Sequence, residues 1–134
     1  MERLYNTIDC DYKTLSPLTL AFIGDAVYDL LIREQLVCKA NCPVGKLHKM
    51  KVKKVCCKAQ SEIMKKLISM LTSEELNIFK RGRNAHSPTM AKHATMADYR
   101  RATGFEALMG YLYLKEDYSR IVELVRKGIP EENL

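Results

Sequence analysis

The residues of this chain best suited to chemistry are two carboxylates set inside apolar runs. Asp25 lies in Phe22-Ile23-Gly24-Asp25-Ala26-Val27-Tyr28-Asp29, and Glu106 in Gly104-Phe105-Glu106-Ala107-Leu108-Met109-Gly110-Tyr111-Leu112. A carboxylate in apolar surroundings is costly unless a cation pairs with it. A metal ion is one such cation, and two such acids about 80 residues apart in the chain suggest a metal-dependent site. The competing reading is structural: Asp25 as a buried acid paired with a lysine or arginine, and Glu106 as an exposed helix residue.

The charge between the two acids favours the metal reading. Residues 44–101 hold 14 Lys/Arg against 4 Asp/Glu, a net of +10, whereas residues 1–43 and 102–134 are each −2. A basic middle flanked by acidic ends points to a nucleic acid or another polyanion. With 134 residues and 47% apolar content, the chain suits one compact domain over 1–134 and is not composed like a disordered one. No apolar run approaches the ~20 residues needed to cross a bilayer, and the mixed, charged MERLYNTIDCDYK does not read as a secretory signal. A cytoplasmic location and no membrane partner are expected. Five cysteines in such a chain do not predict a disulfide framework. Cys38, Cys42, Cys56 and Cys57, with His48 between, do not match the paired spacing of structural zinc sites, and one of the adjacent pair is expected in the core.

The elements that must position the acids read as helices. Gly and Pro number only 6 and 4, and the β-branched residues are scattered, so an all-α fold is expected. Ser16-Pro17 is a helix start, with Ser16 as cap and Pro17 at the first helical position. The run from Leu18 to about Val37 has a wide apolar stripe and is expected to be buried over much of its surface. Asp29 pairs with Arg33 one turn on. After Asn41-Cys42-Pro43 a second helix is expected to run from Val44 through Ile63 toward Leu67. Thr72 and Glu75 form a capping box for a short helix through Leu76 and Phe79, which Gly82 should end with a positive φ. Residues from about 82 to 95 then read as a polar, basic loop. Thr95 starts a long helix carrying Glu106, with Asp98 in its first turn, and a last helix holds Ile121 to Val125.

Both acidic motifs resemble the catalytic domain of ribonuclease III. The first is similar to that family's F-L-G-D-A-V signature helix, and the second to its D-A-F-E-A-L-I-G helix, in the same order and at a comparable distance. The segments Arg81-Gly82-Arg83-Asn84-Ala85-His86-Ser87 and Gly110-Tyr111-Leu112-Tyr113-Leu114 narrow the resemblance to the Mini-ribonuclease III subfamily, which lacks a double-stranded-RNA-binding domain. The likeness extends from about Leu15 to Val125. Two departures stand out. Ala21 replaces a glutamate four residues before Asp25, and Thr103 replaces an aspartate three residues before Glu106. Mini-III sequences tend to lack these outer acids.

The resemblance implies a homodimeric helical bundle of the ribonuclease III endonuclease-domain type. It implies a Mg²⁺-dependent endoribonuclease (Mn²⁺ able to substitute) that cuts structured double-stranded RNA and leaves 5′-phosphate and 3′-hydroxyl ends. Asp25 and Glu106 would be the catalytic metal ligands, holding one ion firmly, with Thr103 orienting a water at the metal. The family substrate is the 23S ribosomal RNA precursor, with a ribosomal protein as a possible helper. Double-stranded RNA is read through phosphates and 2′-hydroxyls. Arg81, Arg83, Asn84, His86 and Lys92 around the loop, and Arg100 and Arg101 beyond it, are candidate contacts. Lys46, Lys49, Lys53 and Lys54 add phosphate contacts from the second helix, although about half of such lysines would be solvated bystanders. A metal makes a histidine base at His86 or His93 unnecessary. The alternatives are a catalytically inactive RNA-binding module of the same fold, and a helical DNA-binding regulator. The second leaves both acidic helices unexplained.

Overall fold

The computed structural model describes residues 2–85 and 95–129. These form six α-helices: α1 (Pro17–Lys39), α2 (Val44–Val55), α3 (Cys57–Leu67), α4 (Ser73–Arg83), α5 (Met96–Leu114) and α6 (Tyr118–Gly128). Two short 3-10 turns, Tyr12–Thr14 and Ile68–Met70, complete the elements, and there is no strand among the described residues. The expectation of an all-α fold holds.

Helix α5 is the hub, packing against α1, α3, α4 and α6. The continuous buried run Ala102 to Leu112, broken only by half-buried Glu106, explains why. A helix that is apolar nearly all round must be enclosed by its neighbours. Its start is capped by Thr95, whose Oγ1 accepts from Asp98 N at 3.0 Å.

Helix α1 starts where Ser16 Oγ accepts from Thr19 N at 3.3 Å. Only one face of this helix is buried: Leu20, Ala21, Gly24, Tyr28, Ile32 and Leu36 face the core at helical spacing. The expectation of burial over much of its surface is corrected here. Phe22, Leu30 and Val37 stand outward on the other side, with Phe22 84% exposed.

The α1–α5 crossing is close because glycines lie at the contact. A Cβ on Gly24 would fall 1.7 Å from Glu106 O, and one on Gly110 would fall 2.0 Å from Leu20 O. Backbone therefore meets backbone, which no side-chain-bearing residue permits at these two positions. One turn along, the Tyr28 ring packs edge-on against Phe105 with centroids 5.0 Å apart.

The single helix expected over 44–67 is two helices. Cys56 adopts φ −65°, ψ 158° and separates α2 from α3. The carbonyls freed at the break are taken by side chains from the core: Tyr28 Oη donates to Lys54 O at 2.9 Å, and Gln60 Nε2 donates to Val55 O at 3.0 Å. These bonds meet the need of orphan carbonyls at a helix end.

The capping box of α4 forms as expected, with Glu75 N donating to Thr72 Oγ1 at 3.1 Å and Thr72 N to Glu75 Oε1 at 2.9 Å. Gly82 does not end this helix, which continues to Arg83, and no described glycine has positive φ. Its small size serves packing instead, since a Cβ there would meet Ala107 Cβ at 2.8 Å and Gly104 Cα at 2.9 Å. Glu75 is buried and also binds Arg120 of α6, which reaches both its oxygens at 2.8 Å and donates to Met70 O at 2.9 Å. Burial raises the Glu75 carboxyl, yet the bonds from Arg120 and Thr72 outweigh it and hold the group below its ordinary value.

Candidate active site

The glycine-lined crossing brings the two acids together. Gly24 touches the Glu106 backbone, so Asp25, the next residue on α1, lies alongside the Glu106 side chain on α5. The two carboxyl groups are within hydrogen-bonding reach of each other. Asp25 is exposed and Glu106 is half-buried, the reverse of the structural reading of the sequence. Neither forms an ion pair with a lysine, arginine or histidine among the described residues.

The electrostatics follow from this placement. Burial disfavours the charged form of Glu106, and the hydrogen bond to Asp25 and that residue's negative charge add to the effect. The nearby Gln60 amide acts in the opposite direction, and the Glu106 carboxyl is pushed up to about 9. Two adjacent acids with no described cation between them are a site for which a positive ion is the missing counter-charge. Among the described residues no group of three or more His, Cys, Asp or Glu could hold a metal. The protein oxygens on offer are thus two carboxylates. That fits Mg²⁺, which keeps several waters and needs few protein ligands, and does not fit a closed structural zinc site.

The pair opens onto a cleft of about 960 Å³ whose walls include Tyr99, Thr103, Ala21 and, on an apolar side, Leu18, Phe22 and Leu114. Ala21 and Thr103, the two positions where further acids were lacking by resemblance, line this same cleft. Thr103 is buried and its Oγ1 donates to Tyr99 O at 3.0 Å. The hydroxyl proton is therefore committed to its own helix, and only the oxygen's remaining acceptor capacity faces other partners.

The basic residues sort by exposure. Arg81, Asn84 and Arg100 are exposed, as are Lys46, Lys49 and Lys53 along α2. Arg83 is half-buried, donates to Asn84 Oδ1 at 3.2 Å and lies over the Phe79 ring at 5.6 Å. Lys54 is half-buried, and burial together with Lys39 lowers its proton affinity. Arg101 turns inward, donating to Ser61 Oγ at 2.8 Å and lying 3.6 Å from Asp98. Ser61, fully buried, in turn donates to Asp98 Oδ1 at 2.7 Å. This triad ties the start of α5 to α3. His86, Lys92 and His93 lie outside the described residues. Asp29 pairs with Arg33 at 2.6 Å as expected, and also with Lys51 at 3.2 Å.

Sequence reasoning passed over Gln60 and Ser61. Both occupy the core face of α3 together with Ile63, Met64 and Leu67. A polar residue at apolar spacing was the available signal. All five cysteines are free, with Cys56 exposed and Cys57 half-buried. Burial first, then the nearby Asp98 and Glu106 charges, push the Cys57 thiol up to about 11, so it stays protonated and unreactive beside the acids.

The chain matches the ribonuclease III domain family over residues 18–117. It is 49% identical over 116 residues to the Mini-ribonuclease 3 of Thermoanaerobacter sp. (strain X514), covering 87% of this chain and 82% of that one. It is 47% identical over 128 residues to the Mini-ribonuclease 3 of Enterococcus faecalis, covering 92% and 97%. A solved protein from Fusobacterium nucleatum superposes with a TM-score of 0.80 at 34% identity, covering 87% of this chain and 89% of that one. With the two motif acids meeting at a helix crossing of the same architecture, the chain belongs to the ribonuclease III domain family, and within it to the Mini-ribonuclease 3 group.

Proposed function

We propose that Asp25 and Glu106 jointly hold a divalent cation, Mg²⁺ with Mn²⁺ able to substitute, at which one strand of an RNA duplex is cut. The protein is an endoribonuclease acting on double-stranded RNA. The observation that carries the metal reading is the meeting of these two carboxyl groups with no described cationic side chain to neutralise them. A bound ion supplies an acidified water and relief of charge on the phosphoryl oxygens. The chain's own part is placement. Asp25 presents its carboxylate at the open mouth of the cleft, and Glu106 presents its own from a half-buried position. Thr103 Oγ1, with its proton directed to Tyr99 O, is placed to accept a hydrogen bond from a water in the cleft. Exposed Arg81, Asn84 and Arg100, with Lys46, Lys49 and Lys53, supply charge for phosphates flanking the cut.

A homodimer belongs to this reading. Phe22 stands almost fully exposed beside the acid pair and shares the cleft's apolar wall with Leu18 and Leu114. A two-fold partner would cover that wall and set two sites facing opposite strands of one duplex. The precursor of 23S ribosomal RNA is the proposed substrate, in the cytoplasm, with a ribosomal protein as a candidate helper. Support for that substrate comes from the Mini-ribonuclease 3 membership and the basic surface.

The test is cleavage of a structured RNA duplex with Mg²⁺ or EDTA, by wild type, Asp25→Asn and Glu106→Gln. Activity confined to wild type with Mg²⁺, and reduced more than ~100-fold in each variant, is the expected result, since even outer residues of metal sites cost 10–100-fold. Cleavage that persists in EDTA or in both variants refutes the metal assignment. Tight RNA binding by wild type without cleavage of any duplex would favour the inactive binding module.

A further inference from the structure

Gln60 is 2% exposed, yet it is a polar residue on the core face of α3. Its amide nitrogen donates to Val55 O at 3.0 Å, at the break between α2 and α3. The same amide stands close enough to Glu106 to favour that residue's charged form. The Val55 carbonyl fixes the orientation of the amide, since the flipped group would set its oxygen against that carbonyl. The amide oxygen, Oε1, is left buried with no hydrogen-bond partner among the described residues. It belongs to the amide that acts on Glu106, so an unsatisfied acceptor lies near the acid pair.

Burying an amide oxygen without a donor is costly, and a carbonyl at a helix break needs only one donor, which the nitrogen already supplies. The arrangement makes sense if the oxygen has a partner that arrives with the cation. A hard divalent ion held by two carboxylates keeps several waters, whose protons need acceptors. A neutral amide also suits its neighbour. It favours the charged form of Glu106 without bringing the full positive charge with which a lysine or arginine would compete with the ion.

We propose that Gln60 is a positioning residue of the metal site. Its nitrogen fixes the Glu106 carboxylate against the α2–α3 break, and its oxygen accepts a hydrogen bond from a water of the bound cation. The proposal rests on the metal reading of Asp25 and Glu106. Outer groups that orient a metal's ligands typically contribute 10–100-fold in affinity.

A control is built into the same break. Tyr28 Oη holds the adjacent carbonyl, Lys54 O, so Tyr28→Phe loosens the break through a bond that does not involve Glu106. Mn²⁺ binding to the full chain, free of RNA, would be read by electron paramagnetic resonance for wild type, Tyr28→Phe, Gln60→Met, Gln60→Leu and Asp25→Asn. Melting temperature in EDTA would be recorded for each. Wild type and Tyr28→Phe should bind Mn²⁺ alike, while Gln60→Met binds 10–100-fold more weakly and cleaves RNA with a correspondingly raised Mg²⁺ half-saturation. Gln60→Leu carries the same expectation, so failure of one variant to fold leaves the other. Unchanged Mn²⁺ affinity in a folded Gln60 variant overturns the proposal, as does an equal loss in Tyr28→Phe, which would reduce Gln60 to a support of the break. Wild type that binds no Mn²⁺, or Asp25→Asn that binds it fully, overturns the metal reading itself and this proposal with it.

Discussion

In the metal-free protein the Glu106 carboxyl holds its proton up to about pH 9, against an ordinary value of 4.5, because it is buried and Asp25 lies against it. A carboxyl raised in this way binds more protons folded than unfolded. Its contribution is fully present below the unfolded value and is lost as pH rises through the folded one. Ionising Glu106 therefore costs stability above pH 4.5, increasingly so toward pH 9, unless a cation offsets it. Glu106→Gln should melt higher than wild type in EDTA at pH 8, by about 0.5–2 kcal/mol, the usual gain from relieving a functional site. The difference should shrink toward pH 5, and Mg²⁺ should stabilise wild type alone. Equal melting of the two proteins at pH 8 would show that Glu106 is not under this load. The type and apolar setting of the acids were legible in the sequence. Their mutual contact was not, because contact depends on a crossing between helices far apart in the chain. Gln60 escaped notice for a related reason: a glutamine in a helix reads as a surface residue until its burial is seen.

Gly24 and Gly110 make the α1–α5 crossing, and the crossing makes the site. Gly24→Ala would drive a methyl carbon into Glu106 O. It should cost about 1–3 kcal/mol or more as an overpacked contact and, by parting the helices, reduce cleavage more than its effect on melting would explain. Gly45→Ala is the control, since a Cβ there meets nothing within 4 Å. If Gly24→Ala and Gly45→Ala cleave alike, the close crossing is not what assembles the pair. Local signals at this scale were read correctly where the chemistry is local. Ser16 and Thr72 cap helices whose partners lie three residues away. The break at Cys56 could not be read that way. Nothing in Val55-Cys56-Cys57 forbids a helix; Tyr28 from α1 and Gln60 from α3 make the break affordable by taking its carbonyls. Gly82 misled for the complementary reason. Its position after a basic turn looks like a helix stop, but α5 presses so close that only glycine fits within the continuing helix. Among the described residues one is left-handed, Glu116 with φ 66°, where Asp117 N bonds Leu112 O at 2.9 Å and closes α5. No glycine marks that turn in the sequence.

Across the whole molecule, the proposed function gives the basic surface the holding of a polyanion and the acid pair its cutting. Exposed Phe22, Leu30 and Val37 add an outward apolar stripe on α1 that the described core leaves uncovered. Phe22→Asp, placed against a two-fold copy of itself, should turn a dimer into a monomer by sedimentation at micromolar concentration and lower double-strand cleavage while leaving the fold intact. A wild-type protein that sediments as a monomer would remove the two-site arrangement. No described helix is long and apolar enough to cross a membrane. The claim on which the rest depends is that Asp25 and Glu106 ligate one cation. Anomalous scattering from crystals soaked in Mn²⁺ tests it most directly. A peak in contact with both carboxylates, lost in Asp25→Asn, is the expected result. A site that stays empty at saturating Mn²⁺, or a lysine or arginine side chain found between the two acids, would contradict it.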